Sequence, residues 1–124
     1  MTASRIAFIG AVLVALTGMG WGIAMAMSHD HATSAGHAHL NLLGWVSLFL
    51  MGLFYRQNAT LDTGKLPRLQ VSVWLLASLT IAIGIALIHS GKPVGEPIAA
   101  ISSLILFADM ALFAVLVIRN GSAS

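Results

Sequence analysis

The sequence predicts an all-α integral membrane protein, a four-helix bundle, and two observations support this prediction. Of the 124 residues, 58% are hydrophobic and only 8% are charged. The apolar residues occur in four long runs of about 20 residues, the length that a helix needs to cross a bilayer. Short connections without a linker rich in Pro, Gly or Ser join the runs, so we expect residues 1–124 to form one domain.

The four predicted spans cover residues 6–27, 37–55, 71–89 and 98–118. The first span has an alternative interpretation as a signal peptide, with Ala24 and Ala26 as a small-residue cleavage site. Its apolar run is longer than the ~7–15 residues of a signal core. The span also carries Gly18 and Gly22, whose spacing is typical of a close helix contact in a membrane. We therefore expect this segment to be a span of the mature protein.

The basic residues predict the orientation. Arg5 precedes the first span, Arg119 follows the fourth, and the first and third connections contain only Lys92. The second connection carries three more, which are Arg56, Lys65 and Arg68. By the positive-inside rule, both termini and this connection lie in the cytoplasm of a bacterial inner-membrane protein. The histidines then all lie at the outer end of the spans: His29, His31, His37, His39 and His89.

Five histidines at one end indicate a metal or cofactor site, although histidines are also common at the wet ends of spans. The sequence contains no cysteine, which excludes thiolate-bound metals and covalent attachment of haem. A haem would have to be held non-covalently by His or Met. The net charge of +2 comes without a basic patch, so we expect a lipid bilayer and no nucleic acid as partner.

His37 and His39 stand where the second span begins. At 100° per residue, a helix places them about 200° apart, on opposite faces. The His37 face mixes polar and small residues and suits the interior: Asn41, Gly44, Leu48, Met51 and Tyr55. The His39 face is apolar and suits lipid, a cofactor or another subunit: Leu42, Leu43, Val46, Leu50 and Leu53. His89 ends the third span at the same level, so it either forms a haem or metal clamp with His37 or is only an interfacial residue.

The connection after the first span offers a second, less specific metal site. His29 and His31 flank Asp30, and Met25 and Met27 are close in sequence. Imidazole and thioether groups both suit copper. The alternative, which we favour, is a solvated connection.

Asp109 lies about eleven residues into the fourth predicted span, near the middle of the membrane. An ionised carboxylate there costs roughly 2.5–3.5 kcal/mol on insertion scales. The group must therefore face the bundle, be protonated or be paired, with Ser102 and Ser103 as candidate polar neighbours. Two roles stay open, a proton relay and a neutral acid that hydrogen-bonds between helices.

Three motifs together resemble a known family. They are Gly36-His37-Ala38-His39, Leu43-Gly44-Trp45 and Met51-Gly52-Leu53-Phe54-Tyr55, about twenty of the 124 residues. This stretch resembles the tenth helix of subunit I of the haem–copper oxidases, the superfamily of cytochrome c oxidase and nitric oxide reductase. The resemblance implies that His37 binds a high-spin haem and His39 a low-spin haem, both at the outer face.

The resemblance has limits and a further implication. The family's three-histidine copper site and cross-linked tyrosine have no counterpart in this sequence, so oxygen reduction by one copy is not implied. The family's twelve spans form three four-helix arcs, and this chain has the size of one arc. The resemblance therefore implies a b-type haem protein for electron transfer or O₂ or NO chemistry. It also implies a homo-oligomer, a trimer that repeats the arc three times and covers the His39 face. Two alternatives are a non-enzymatic copper-handling membrane protein and a structural small subunit of a respiratory complex.

Overall fold

The computed structural model describes residues 1–120, and in this part of the chain it confirms an all-α protein with four long apolar helices. Each of the four is long and apolar enough to cross a membrane. The five helices are α1 (Ala3–Ser28), α2 (Ser34–Arg56), the short α3 (Ala59–Asp62), α4 (Lys65–His89) and α5 (Gly95–Asn120). The four long helices extend beyond the predicted spans by a few residues at one or both ends.

The α4 helix is the centre of the packing. It contacts α1, α2 and α5, and of these three its contact with α5 is the most extensive. Small residues allow α4 and α5 to lie close together. A Cβ atom on Gly84 of α4 would lie only 2.7 Å from the backbone nitrogen of Ala99 on α5. The α5 helix reaches α2 through aromatic side chains, with the rings of Phe54 and Phe113 centred 5.5 Å apart.

The α1 helix packs through a stripe of small residues. Ala3, Ala7 and Ala11 are completely buried. Gly18 and Gly22 lie against Asn41 and His37 of α2, so the close helix contact predicted from their spacing is a contact within the chain. This first span thus packs against α2, and its alternative interpretation as a signal peptide stays a prediction.

The centre of α2 is a π-helix over Leu40–Ser47, directly after His39. Its wider turn exposes carbonyl groups to side chains: Trp74 Nε1 donates a 2.8 Å hydrogen bond to the Leu43 carbonyl. Gly44 allows α1 to approach, since a Cβ atom there would lie 2.8 Å from Val14 Cγ1. Such segments occur often at functional sites.

The two predicted faces of α2 are confirmed by burial. On the His37 face, Gly44, Leu48, Met51 and Tyr55 are buried and Asn41 is half-buried. On the His39 face the side chains are exposed except Leu43, which is half-buried; the exposed ones are Leu42, Val46, Leu50 and Leu53.

The four long helices end at two opposite sides of the protein. The arginine end comprises residues 1–5, 56–68 and 119, and the histidine end comprises residues 29–39 and 89–94. At the arginine end, both carboxylate oxygens of Asp62 accept hydrogen bonds from Ser4, one from its N–H at 2.6 Å and one from its Oγ–H at 2.7 Å. The start of α1 is therefore attached to the connection between α2 and α4. At the histidine end, the 29–33 connection and Ser90 line one cavity, so all five histidines share this end.

Candidate functional site at the histidine end

His39 has one ring nitrogen engaged and one free for a ligand. It lies in the second turn of α2, and its Nδ1 is 2.8 Å from the carbonyl oxygen of Ala35. A carbonyl only accepts, so Nδ1 carries the proton and the lone pair is on Nε2. A backbone carbonyl on Nδ1 is the usual way in which proteins orient a metal-binding histidine. Because the side chain is exposed, Nε2 is accessible from outside the chain.

His37 is half-buried and faces α1. The edge of its ring meets Trp21, with ring centroids 6.0 Å apart and planes at 79°. Gly22 is needed here, since a Cβ atom at that position would lie 3.3 Å from the imidazole Cε1. The Nδ2 atom of Asn41 is 3.3 Å from both ring nitrogens and donates to the His37 carbonyl at 3.0 Å. The amide thus covers the nitrogen side of the ring.

A groove of about 450 Å³ runs beside His37 between α1 and α2. His37 and Asn41 supply its polar groups, and the exposed side chains of Met19 and Ile23 form much of the apolar wall. Gly22 and Ala26 complete the lining and keep it shallow. The groove opens to the outside of the chain.

The predicted clamp requires His37 to face α4, but the His37 ring lies against Trp21 and Gly22 of α1. It is Gly36 that faces α4, because a Cβ atom there would lie 2.8 Å from the Ala82 carbonyl oxygen. His89 is exposed in the last turn of α4. A clamp between the two histidines stays a prediction, and it requires His37 to turn away from Trp21.

Among residues 1–120, no group of three or more His, Cys, Asp or Glu side chains could hold a metal ion. A bare metal ion therefore has no three-ligand site of these residue types within the described part of one chain. Haem iron differs, because the macrocycle supplies four nitrogens and the protein only one or two axial ligands.

The loop histidines belong to an ordered connection. His29 and His31 are exposed, and His29 ends α1 with a left-handed φ of 55°. Asp30 Oδ1 accepts a hydrogen bond from the Ala32 N–H at 3.0 Å. The nearby thioether of Met25 is buried and accepts a weak hydrogen bond from Thr33. The exposure of both histidines agrees with a solvated connection, and copper binding by His29 and His31 stays a prediction.

Asp109 is buried, with an exposed fraction of 6%, and its partner is Gln70. Gln70 Nε2 donates to Asp109 Oδ2 at 2.6 Å, and Tyr55 donates its hydroxyl proton to Gln70 Oε1 at 2.7 Å. The expectation that Ser102 and Ser103 are the neighbours of Asp109 is wrong. Ser102 bonds to Thr80 on α4, and Ser103 bonds to the backbone of its own helix.

Sequence reasoning missed Gln70 as a member of this buried group. The available signal was its position one residue before the third predicted span, where an amide next to an apolar run needs a partner. Tyr55 was assigned correctly to the interior face of α2, but its partner was not identified.

Comparison of the chain with protein-family models, with curated proteins and with solved structures gives no match.

Proposed function

We propose that this chain is a haem-binding membrane protein that serves electron transfer or O₂ or NO chemistry, with His39 as the principal axial ligand. The observation that carries the proposal is the hydrogen bond between His39 Nδ1 and the Ala35 carbonyl. It directs an exposed Nε2 lone pair away from the helix, as iron ligation requires. Catalysis by a single chain is not part of the proposal.

The donor set fits a non-covalent b-type haem. Neutral imidazole is available, whereas the sequence has no cysteine for a thiolate or a covalent link. Such a haem supplies a one-electron redox centre. His39 needs no rearrangement to bind iron, while His37 must first displace the Asn41 amide that covers its nitrogens. We therefore assign His37 and His89 as secondary ligand candidates.

The helix arrangement supports the proposed relationship to one arc of haem–copper oxidase subunit I. The α5 helix packs mainly along α4, and α4 in turn packs on α1 and α2. The four long helices therefore form an open layer with α5 at one edge. The His39 face remains exposed, with Leu42 and Leu50 accessible to 61% and 59%. We propose that a second copy, in a homo-oligomer such as a trimer, covers this face. A respiratory-complex subunit is the alternative occupant.

We also propose an inner-membrane location with both termini in the cytoplasm. The support is the charge distribution, with Arg5, Arg56, Lys65, Arg68 and Arg119 at the arginine end. Reporter fusions at Gly64 and Ala35 test it. Gly64 should report from the cytoplasm and Ala35 from the outside. The reverse pattern would contradict the orientation but not the shared end of the histidines.

Absorption spectra of the purified protein test the function. We expect a Soret band and sharp α-bands on reduction, which His39→Ala abolishes. His37→Ala should shift the spectrum, while the paired loop variant His29→Ala with His31→Ala should leave it unchanged. Loss of cofactor in the loop variant alone would favour copper handling by His29 and His31. A wild-type protein without haem after expression with added haem precursor would favour a structural subunit.

A further inference from the structure

The arginine end contains a cavity of about 640 Å³ between the first turns of α1 and α4 and the last turn of α2. Each of these helices contributes one arginine to the lining: Arg5 from α1, Arg56 from α2 and Arg68 from α4. The remaining lining is largely apolar and comes from the start of α1 and from the connection before α4, with Met1, Thr2, Phe8, Ile9 and Thr63. Three arginines from separate helices thus line one space.

The charges around this cavity are unbalanced. Of the four acidic residues in the sequence, Asp62 alone lies at the arginine end, and both of its oxygens accept hydrogen bonds from Ser4. Asp30 and Glu96 lie near the histidine end, and Asp109 is bonded to Gln70 within the layer. The three arginines therefore produce a positive potential in a partly enclosed space, which favours an anion.

The geometry suits a phosphate group. Arg68 is half-buried, and its Nε donates to the Gly64 carbonyl at 3.2 Å, which orients the guanidinium and leaves both Nη groups for a ligand. The planar fork of a guanidinium matches two phosphate oxygens at once. Arginines from three helices can therefore contact several oxygens of one phosphate.

The cavity also has an apolar wall that continues along α1. Phe8 is held in place by Phe49, with ring centroids 4.9 Å apart, and by the absence of a side chain at Gly52. A Cβ atom on Gly52 would lie 2.7 Å from Phe8 Cε1. Ile9, with 45% of its surface exposed, extends this wall towards the middle of the span. A charged head beside an apolar track along a transmembrane helix matches the shape of a phospholipid.

We propose that this cavity binds the phosphate of an anionic glycerophospholipid, with its acyl chains along Phe8 and Ile9. A lipid is favoured over free phosphate because the apolar wall would contribute nothing to an inorganic ion. The cavity also lies at the end of the spans, where phospholipid headgroups are found.

Native mass spectrometry of the full-length protein in mild detergent tests the proposal, with phosphatidylglycerol and phosphatidylcholine as probes. We expect one tightly retained phosphatidylglycerol and a preference over phosphatidylcholine of about tenfold or more, since charge-assisted hydrogen bonds are among the strongest available. The paired variant Arg56→Gln with Arg68→Gln should lose this preference. The matched control, Lys65→Gln with Arg119→Gln, removes the same charge from exposed positions outside the cavity lining and should keep it.

Three results would overturn the proposal. They are equal retention of both lipids by the wild type, equal losses in the two paired variants, and displacement of phosphatidylglycerol by inorganic phosphate at equal concentration. The last would mean a site for the anion alone. If the Gln pair does not fold, Arg56→Lys with Arg68→Lys keeps the charge and removes the bidentate fork. It should weaken retention of phosphatidylglycerol about threefold or more, and unchanged retention would also contradict the proposal.

Discussion

Gln70 Nε2 donates a 2.6 Å hydrogen bond to Asp109 Oδ2, and this contact joins α4 to α5 where both side chains are buried. Tyr55 of α2 donates to the other end of the same amide. One glutamine side chain therefore connects three helices in the apolar interior. This arrangement explains how a carboxyl group is accommodated far from the ends of its helix.

Replacing Asp109 by Ala should destabilise the protein by about 1–2 kcal/mol, because the Gln70 N–H loses its acceptor in a buried position. Asp109→Asn keeps a carbonyl acceptor and should cost less than about 1 kcal/mol. Thermal unfolding in detergent, followed by circular dichroism, measures both. Ser103→Ala is the control, since its hydroxyl is exposed and bonds only to its own helix. Equal stability of all three variants would contradict a structural role for the Gln70 contact.

The proton-relay role of Asp109 stays a prediction with a separate test. Tyr55, which shares Gln70 with Asp109, is about 24 Å from His39 along α2 at ~1.5 Å per residue. Given this separation, we expect the potential of the proposed haem to have the same pH dependence in Asp109→Asn as in the wild type. Redox titrations of both proteins across pH measure this. A changed slope in the variant would support the relay.

Asp62→Ala should destabilise the protein by about 1–3 kcal/mol, because it leaves the Ser4 N–H and hydroxyl without their acceptors at the start of α1. Asp62→Asn retains one carbonyl acceptor and should lie between Ala and the wild type. Asp30→Ala is the matched control at an exposed turn and should cost at most about 1 kcal/mol. A loss for Asp30→Ala as large as that for Asp62→Ala would contradict the attachment of α1 by Asp62.

Two glycine substitutions should have opposite effects on stability. A Cβ atom on Gly36 meets the backbone of α4 at 2.8 Å, so Gly36→Ala should cost about 1–3 kcal/mol by pushing α2 from α4. Gly20 has nothing within 4 Å of such an atom, so Gly20→Ala should be neutral or stabilising by up to about 1 kcal/mol. Unfolding temperatures measured side by side decide this. Equal effects would contradict the close approach of α2 and α4.

Self-association should depend on the His39 face. Leu42→Ala with Leu50→Ala should raise the monomer fraction severalfold in native mass spectrometry, because packing in lipid depends on complementary side-chain surfaces. Leu13→Ala with Leu16→Ala is the control on α1, where exposures of 58% and 60% match the 61% and 59% of the test pair. A monomeric wild type with full haem occupancy would contradict the oligomer.

Hydropathy and charge were sufficient to predict four long apolar helices and the shared end of the histidines. Bilayer thickness requires about 20 apolar residues per helix, and alternating spans place connections at alternating ends. Helical periodicity also predicted that Leu48, Met51 and Tyr55 are buried while Leu42 and Leu50 are exposed. These properties depend on one helix and its solvent, so the sequence of that helix is enough.

Pairing between helices could not be predicted in this way. The bonds of Asp109 to Gln70 and of Asp62 to Ser4 join residues far apart in sequence, and they depend on the rotation and depth of each helix. The same applies to His37, which faces Trp21 and Gly22 because Gly36 occupies the contact with α4. The convergence of Arg5, Arg56 and Arg68 likewise required three helix ends to meet. Side chains of neighbouring helices select these contacts together, so no single helix encodes them.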